Sequence, residues 1–221
     1  MPEKLHIDFV SDVSCSWCAV GLRNLEQAIG NLGGEVEVEI RFRPFELNPQ
    51  MPASGQNLFE HLREKYGWDE TYTVEAMEQV RRSGEPVGID FRIDRDSHVY
   101  NSFDLHRLLH WAGIHGKQKE LKQALFTVHF TQGKDLRDQD MLSHVAQSVG
   151  LDAGGARDIL AGDAYAGEVR ADERVWLDAG VRSVPAMIFN GLYAVSGAQP
   201  PLEQVIRRTL ADSGKGKEGR A

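Results

Sequence analysis

Cys15 and Cys18 are the only cysteines in this chain of 221 residues, and only Ser16 and Trp17 separate them. On a helix, that spacing sets the second sulfur one turn behind the first, close enough to bridge to it but less exposed. Two chemistries suit such a pair. In thiol–disulfide exchange, Cys15 attacks a substrate disulfide as a thiolate, and Cys18 then displaces the product while closing an internal bond. A zinc site would need two further donors. No second C-x-x-C exists, and the nearest histidines are His6, within a strand-like run, and the distant His61. An inert reduced couple is the plainest alternative. A secreted disulfide scaffold would spread more cysteines along the chain, so we favour the redox reading.

The elements that must hold the pair follow from periodicity. Leu5 to Val10 is an apolar-rich run of strand length, and Ser11-Asp12-Val13-Ser14 leads from it to the cysteines. Leu22, Leu25, Ile29 and Leu32 then recur at helical spacing until Gly33-Gly34 supplies a stop. Cys15 and Cys18 therefore fall in the first turn of a helix, where unpaired amides and the macrodipole favour negative charge on sulfur. Glu35 to Phe42 alternates strictly, with Val36, Val38, Ile40 and Phe42 on one side, which predicts a half-exposed strand. Its row of Glu35, Glu37 and Glu39 suits a sheet edge.

From about Asn57 to Gly180 the pattern is helical, apart from a loop rich in Gly, Pro and charge at Ser83 to Asp96. Leu105, Leu108, Leu109 and Ala112 mark one helix and Leu121, Ala124, Leu125 and Val128 the next, split by Gly113 and Gly116. Further helices are expected over Asp138 to Val149, Ala153 to Leu160 and Tyr165 to Ala179. Strands return at Ala186 to Phe189 and Leu192 to Ser196, flanking the hairpin signal Asn190-Gly191. Pro200-Pro201 opens a last helix carrying Leu202, Val205, Ile206, Thr209 and Leu210 on one face.

This order predicts an α/β fold, a thioredoxin-like core with a large all-helical insertion. We expect residues 1–56 and 166–212 to form the discontinuous core, 57–165 the insertion and 213–221 a disordered tail. Val184-Pro185 falls immediately before the hairpin. A cis bond there would turn the Val184 backbone toward the cysteines and offer its N–H and C=O to an extended substrate.

Composition narrows the class of partner. The 33 acidic and 25 basic residues leave a formal charge of −8, a field that repels phosphate backbones and anionic lipid surfaces. With 41% hydrophobic and 26% charged residues the chain reads as an ordinary globular protein. No apolar run approaches the ~20 residues that cross a bilayer. The start, Met1 to Val13, holds only a six-residue strand-like run containing His6 and Asp8, where a secretory signal would need a longer apolar stretch, so a cytoplasmic address is expected. No phosphate-binding glycine motif is present, and Gly154-Gly155 lacks dinucleotide-fold spacing.

Taken together, the residues resemble the DsbA-like thioredoxin-fold oxidoreductases, and specifically their FrnE-type branch, over nearly the whole chain. The matching stretches are Cys15-Ser16-Trp17-Cys18 with Gly21, then Arg43-Pro44-Phe45-Glu46-Leu47-Asn48-Pro49, and Asn101 with His106-Arg107-Leu108-Leu109. Leu125-Phe126 with Phe130, Gly133 and Asp135 also match, as do Val184-Pro185 and Asn190-Gly191 through Val195-Ser196-Gly197-Ala198-Gln199-Pro200. The resemblance implies a redox-active Cys15, a helical insertion over the active site, a cis-proline at Pro185, and the loop of Phe45, Glu46 and Asn48 near the sulfurs. The branch usually carries C-P-W-C, and Ser16 replaces that proline here.

A related branch holds glutathione-dependent isomerases, such as 2-hydroxychromene-2-carboxylate isomerase, and kappa-class glutathione transferases. Those enzymes usually place serine where Cys15 stands and an acidic glutathione clamp near Ser196-Gly197-Ala198, where this chain has none. Glutathione is therefore kept as a thiol partner and no cofactor is expected. His106 and His110 lie four apart on a helix, without an H-E-x-x-H pattern or a third ligand, so no metal is assigned to them.

The expected activity is thiol–disulfide exchange on a disulfide-containing peptide, protein or small thiol, with Ser16, Trp17, Val184, Pro185, Asn48 and His106 as candidate substrate contacts around Cys15 and Cys18. Its rivals are a glutathione-dependent isomerase or transferase acting on a small aromatic substrate, and a non-catalytic binding module or holdase. Neither nucleic acid nor membrane is an expected partner, and monomer and homodimer both remain open.

Overall fold

Leu5, Ile7 and Phe9 alternate with half-buried His6 and Asp8 along β1 (Glu3–Ser11), and this strand is the axis of the sheet in our computed structural model, which describes residues 3–34, 36–198 and 201–218. β1 pairs in parallel with β2 (Val36–Pro44), Phe9 standing beside Phe42, and antiparallel with β5 (Ala186–Phe189), where Phe9 meets Met187. β5 turns through Asn190-Gly191 into antiparallel β6 (Tyr193–Ser196), giving the sheet order β2-β1-β5-β6. Asn190 and Gly191 both take positive φ, 49° and 67°, as a tight hairpin demands. Leu192 belongs to that turn, exposed, and the strand begins one residue later than expected.

A parallel pair needs a crossover, and α1 (Ser16–Gly30) supplies it between β1 and β2. Its buried side, Cys18, Ala19, Leu22, Leu25 and Ala28, packs on the sheet with Leu202, Ile206 and Leu210 of α9 (Leu202–Glu218). The opposite face is covered near Val10 by Trp176 of α8 (Ala166–Asp178), with Phe45 and Ala186. β2 lies at the edge of the sheet, as its glutamates suggested, while Glu35 lies outside the described residues.

The middle of the chain contains α2 (Leu58–Tyr66), α3 (Glu70–Gly84), α4 (Phe103–Ile114), α5 (Gln118–Phe126), α6 (Gln139–Ser148) and α7 (Ala153–Ala161). Leu105, Leu108, Leu121, Leu125, Leu142 and Ile159 form a second hydrophobic core there. Met77, Val80, Phe91, Phe126 and Phe130 pack instead with the sheet and α1, so the helical segment shares a core with the strands.

Several local features depart from the periodicity. The helix expected through Val128 leaves α-geometry after Phe126 and continues as a π-turn over Thr127–Thr131. The loop expected from Ser83 starts later, because α3 and a 3-10 turn at Glu85–Val87 hold the chain up to Val87. Short strands β3 (Gln56–Asn57) and β4 (His98–Val99) pair across that loop's base. α9 runs to Glu218 instead of yielding to a tail at 213, and Asn190 Nδ2 donates to Ser213 Oγ at 2.9 Å, anchoring that turn to the hairpin. Residues 219–221 of the expected tail, and Gln199-Pro200, lie outside the described residues.

Candidate active site

β1 ends at Ser11, and the next side chain, Asp12, organises the turn into α1. Its buried carboxylate accepts hydrogen bonds from the backbone amides of Ser14 (3.0 Å) and Leu47 (2.7 Å), so one residue both shapes the approach to the helix and ties down the loop after β2. Cys15 is the N-cap residue, with extended backbone (φ −98°, ψ 109°), and its carbonyl receives the amides of Cys18 (3.0 Å) and Ala19 (3.4 Å). No side chain caps α1. The unpaired amides of its first turn are thus left to the sulfur and to whatever approaches it.

The two sulfurs are free thiols in unequal surroundings: Cys15 is 6% exposed and Cys18 is 0% exposed. Burial, and beside it the neighbouring Cys15, push the Cys18 thiol well above the usual cysteine range, while Lys122 and the Asp12 backbone pull the other way. Cys18 therefore keeps its proton at neutral pH. The Cys15 thiol donates to the carbonyl oxygen of Val184 at 3.8 Å. The following bond, Val184–Pro185, is cis, and the Pro185 carbonyl accepts from the amide of Gly197 (2.9 Å), which holds this segment against the hairpin. Asn24 Nδ2 of α1 donates to the Ala198 oxygen at 2.9 Å and closes the other side of the hairpin loop onto the helix.

Behind the sulfurs lies a set of buried ionisable groups. Burial works against the Asp12 charge, yet the His106 ring and the amides of Leu47 and Ser14 hold its carboxyl below the ordinary value. His106 Nε2 is 3.6 Å from Asp12 Oδ1, beyond hydrogen-bond length, and has no other partner among the described residues. Lys122 of α5 is 1% exposed, its ammonium 5.2 Å from the Phe126 ring centre, and burial brings it down to about 8 against the pull of Cys18, Asp12 and Cys15. His129, in the middle of the π-turn, is lowered to about 4 by burial, opposed by the Asp12 charge. Further out, Arg170 bonds to buried Glu46 and to Glu173 (2.8 Å). Burial and the Glu173 carboxylate push Glu46 up to about 7.

A sequence profile of the DSBA-like thioredoxin domain matches residues 6–205. The chain belongs to that family. This DSBA-like chain is 32% identical to the Streptomyces coelicolor protein SCO1869, described as a probable DsbA oxidoreductase, whose crystal structure superposes with a TM-score of 0.87 over 94% of this chain and 91% of that one. It is 27% identical to Bacillus subtilis YwbO, a protein described as uncharacterized, over 96% of this chain and 99% of that one. The cytosolic disulfide reductase DsbM from Pseudomonas aeruginosa, solved with GSH, shares the fold at 16% identity, with a TM-score of 0.63 and coverage of 96% and 99%.

The DSBA-like fold brings Cys15, Cys18, Val184 and Pro185 together, with Ser16 and Trp17 half-buried beside them. Asn48 lies in the loop next to Leu47, and its Oδ1 accepts from Lys65 Nζ of α2 at 2.5 Å. His106 does not sit at the mouth: it is buried behind the dithiol, facing Asp12. The His110 ring lies tilted against Tyr165, the ring centres 5.2 Å apart, and among the described residues no cluster of three His, Cys, Asp or Glu side chains could hold a metal. Periodicity passed over Asp12, Lys122 and His129. The available signal was Lys122 four residues before Phe126, on what is otherwise the apolar side of α5.

Proposed function

We propose that this DSBA-like chain is a cytoplasmic thiol–disulfide oxidoreductase in which Cys15 attacks and Cys18 resolves. The observation that carries the reading is the asymmetry of two free thiols at one helix N-terminus, the outer one against the Val184 carbonyl and the inner one sealed from solvent. The Cys15 thiolate attacks one sulfur of a substrate disulfide and releases the other half as a thiol, leaving a mixed disulfide. Cys18 then gives up its proton and attacks Cys15 Sγ. An internal disulfide forms, the second substrate thiol leaves, and the dithiol has lost the two electrons the substrate gained.

Val184, ahead of cis-Pro185, supplies a backbone edge along which an extended peptide can lie, and Ser16 and Trp17 flank the attacking sulfur. Asn48 shapes the rim through Lys65. In a glutathione-buffered compartment the dithiol is held reduced, so reduction or isomerisation of substrate disulfides needs no special oxidant. The fold shared with a cytosolic disulfide reductase solved with GSH supports glutathione as the returning thiol. Among the described residues no helix is long and apolar enough to cross a membrane.

The test is a trap. Cys18→Ala, incubated with a disulfide-linked peptide or glutathione disulfide, should accumulate a mixed disulfide at Cys15 that wild type resolves. A Cys18→Ser variant as active as wild type would point to single-thiol glutathione chemistry. Full activity in a double Cys15→Ser, Cys18→Ser variant would point to a binding role.

A further inference from the structure

Large apolar side chains left in water gather at one corner of the insertion. Among the described residues, Tyr66 (53% exposed), Tyr72 (53%) and Val74 (46%) remain open to solvent, and they fall between the end of α2 and the second turn of α3. Trp68 joins the two tyrosines, its ring centre 5.2 Å from that of Tyr66 and 4.8 Å from that of Tyr72. The turn that carries these rings is well fixed. Gly67 closes α2 in the left-handed region (φ 71°), and the Asp69 carboxylate accepts from the Tyr72 amide at 2.8 Å to start α3. α2 itself has no fully buried residue, so it adds little to the core. An aromatic ladder displayed on a capped turn is the kind of surface that a partner covers.

A chain of short contacts ties this corner to the dithiol. The Cys15 amide donates to the Asp12 carbonyl (3.3 Å), the Asp12 carboxylate accepts from the Leu47 amide (2.7 Å), and the Leu47 carbonyl accepts from Lys65 Nζ (2.9 Å). The Lys65 ammonium in turn lies 5.4 Å from the Tyr66 ring centre. Leu47 and Val184 are both half-buried and pack on the same small cluster of Val10, Phe45 and Ala186. The apolar surface beside the Val184 edge therefore continues through Leu47 toward the rings.

Resting on the oxidoreductase reading, we propose that Tyr66, Trp68 and Tyr72 form an auxiliary docking surface for the polypeptide that carries the substrate disulfide, and that it takes a segment in which aromatic or aliphatic residues are mixed with Lys or Arg. Charge decides the occupant. Leu58 to Glu75 carries five acidic residues against Arg63 and Lys65. Lys65 is engaged with Leu47 and Asn48, and Glu70 with Arg95, so exposed Glu60, Glu64, Asp69 and Glu75 leave the rings with an acidic fringe. Basic side chains are drawn both to such a fringe and to the faces of the rings. A second copy of the chain meeting this corner about a two-fold axis would set the same fringe against itself, and an anionic lipid surface would be repelled. A polypeptide extended from Cys15 advances roughly 3.3 Å per residue and can lie over the dithiol and the rings at once. The insertion thereby favours protein disulfides over small ones, and fixed aromatic rings supply the contact area at little cost in side-chain entropy.

Single-turnover oxidation of the dithiol, followed against substrate concentration, tests this with glutathione disulfide and with the glutathione mixed disulfides of two peptides. Each peptide has about twelve residues, enough to span roughly 40 Å when extended, and a central cysteine. One carries Phe and Lys on both flanks, and the other has Glu in place of Lys. In a double variant, Tyr66→Ser with Tyr72→Ser, the half-saturating concentration of the basic peptide should rise about tenfold, the order lost with a good aromatic anchor, while its maximal rate and the glutathione disulfide rate stay those of wild type. An unchanged half-saturating concentration would overturn the proposal, as would wild type that treats the two peptides alike. Glu75→Lys, an exposed change three residues from Tyr72 on α3, covers the case in which the double variant does not fold. There the preference for the basic peptide should shrink about threefold, the order of one exposed charge pair, and an unchanged preference counts against the docking surface. Sedimentation that finds wild type dimeric and the double variant monomeric would give the rings to a second copy instead. Wild type that exchanges with none of the three disulfides would sink the oxidoreductase reading itself, whereas exchange with glutathione disulfide and no peptide preference sinks only the docking surface.

Discussion

A Cβ placed on Gly21 would stand 2.9 Å from Pro185 Cγ. α1 and the segment that faces Cys15 therefore touch at a position where any side chain intrudes, with Met187 Cε and the Ala198 Cα each at 3.4 Å. Gly21 costs the helix some stability in exchange for this approach.

Gly21→Ala sets two effects against each other: about 1 kcal/mol of helix propensity gained and ~1–3 kcal/mol of overpacking lost. The contact is with a proline ring braced by the Gly197 amide, so overpacking should win. A net loss on the order of 1 kcal/mol is expected in urea denaturation, with slower attack by Cys15. A variant more stable than wild type would show that the Pro185 segment yields.

Asp12→Asn tests the anchor behind the sulfurs. An amide nitrogen cannot accept, so either the Leu47 or the Ser14 N–H loses its partner in a buried place. The cost should be on the order of 2 kcal/mol at neutral pH. Since the native carboxyl is held below its ordinary 3.8, its contribution is complete above that pH and is lost only as pH falls further. The gap between the two proteins should therefore persist down to about pH 3.8 in a stability–pH series and narrow below it.

Glu46 has the opposite sign. Its folded value is raised to about 7 from 4.5, first by burial and then by Glu173, so the fold is favoured below 4.5 and loses that advantage as pH rises through 7. Glu46→Gln keeps an acceptor for Arg170 and removes the titration. Chemical denaturation at pH 5 and pH 8 should show the variant gaining on wild type at the higher pH, and an equal difference at both would refute the assignment.

His129 should matter on the acid side. Burial lowers it to about 4 from 6.5, so wild type loses stability as pH falls from 6.5 toward 4 because the unfolded chain takes up the proton first. His129→Gln gives up the ring contacts with Tyr100 and Phe130 at every pH. Its deficit should nonetheless shrink through that acid window, which thermal melts at stepped pH would detect.

Much of this protein could be read along the chain. The spacing of Cys15 and Cys18, the run from Leu5 to Val10 and the periodicity of Leu22 and Leu25 predicted a dithiol at a strand-to-helix junction, because each depends on residues a few positions apart. Asn190-Gly191 marked the hairpin for the same local reason, the positive φ that its turn requires. Where the helices pack was not local. The π-turn at Thr127–Thr131 and the burial of Lys122 depend on what α1 and β2 place against α5, and no pattern within α5 records those neighbours. His106 shows the limit from the other side: its helical position was clear, but only the packed molecule put it behind the sulfurs, next to Asp12. Sequence by itself determined which sulfurs are the candidates for thiol chemistry and the elements that carry them. The tertiary structure decided which sulfur is sealed and which ionisable groups surround it, because desolvation and charge act through space between segments far apart along the chain.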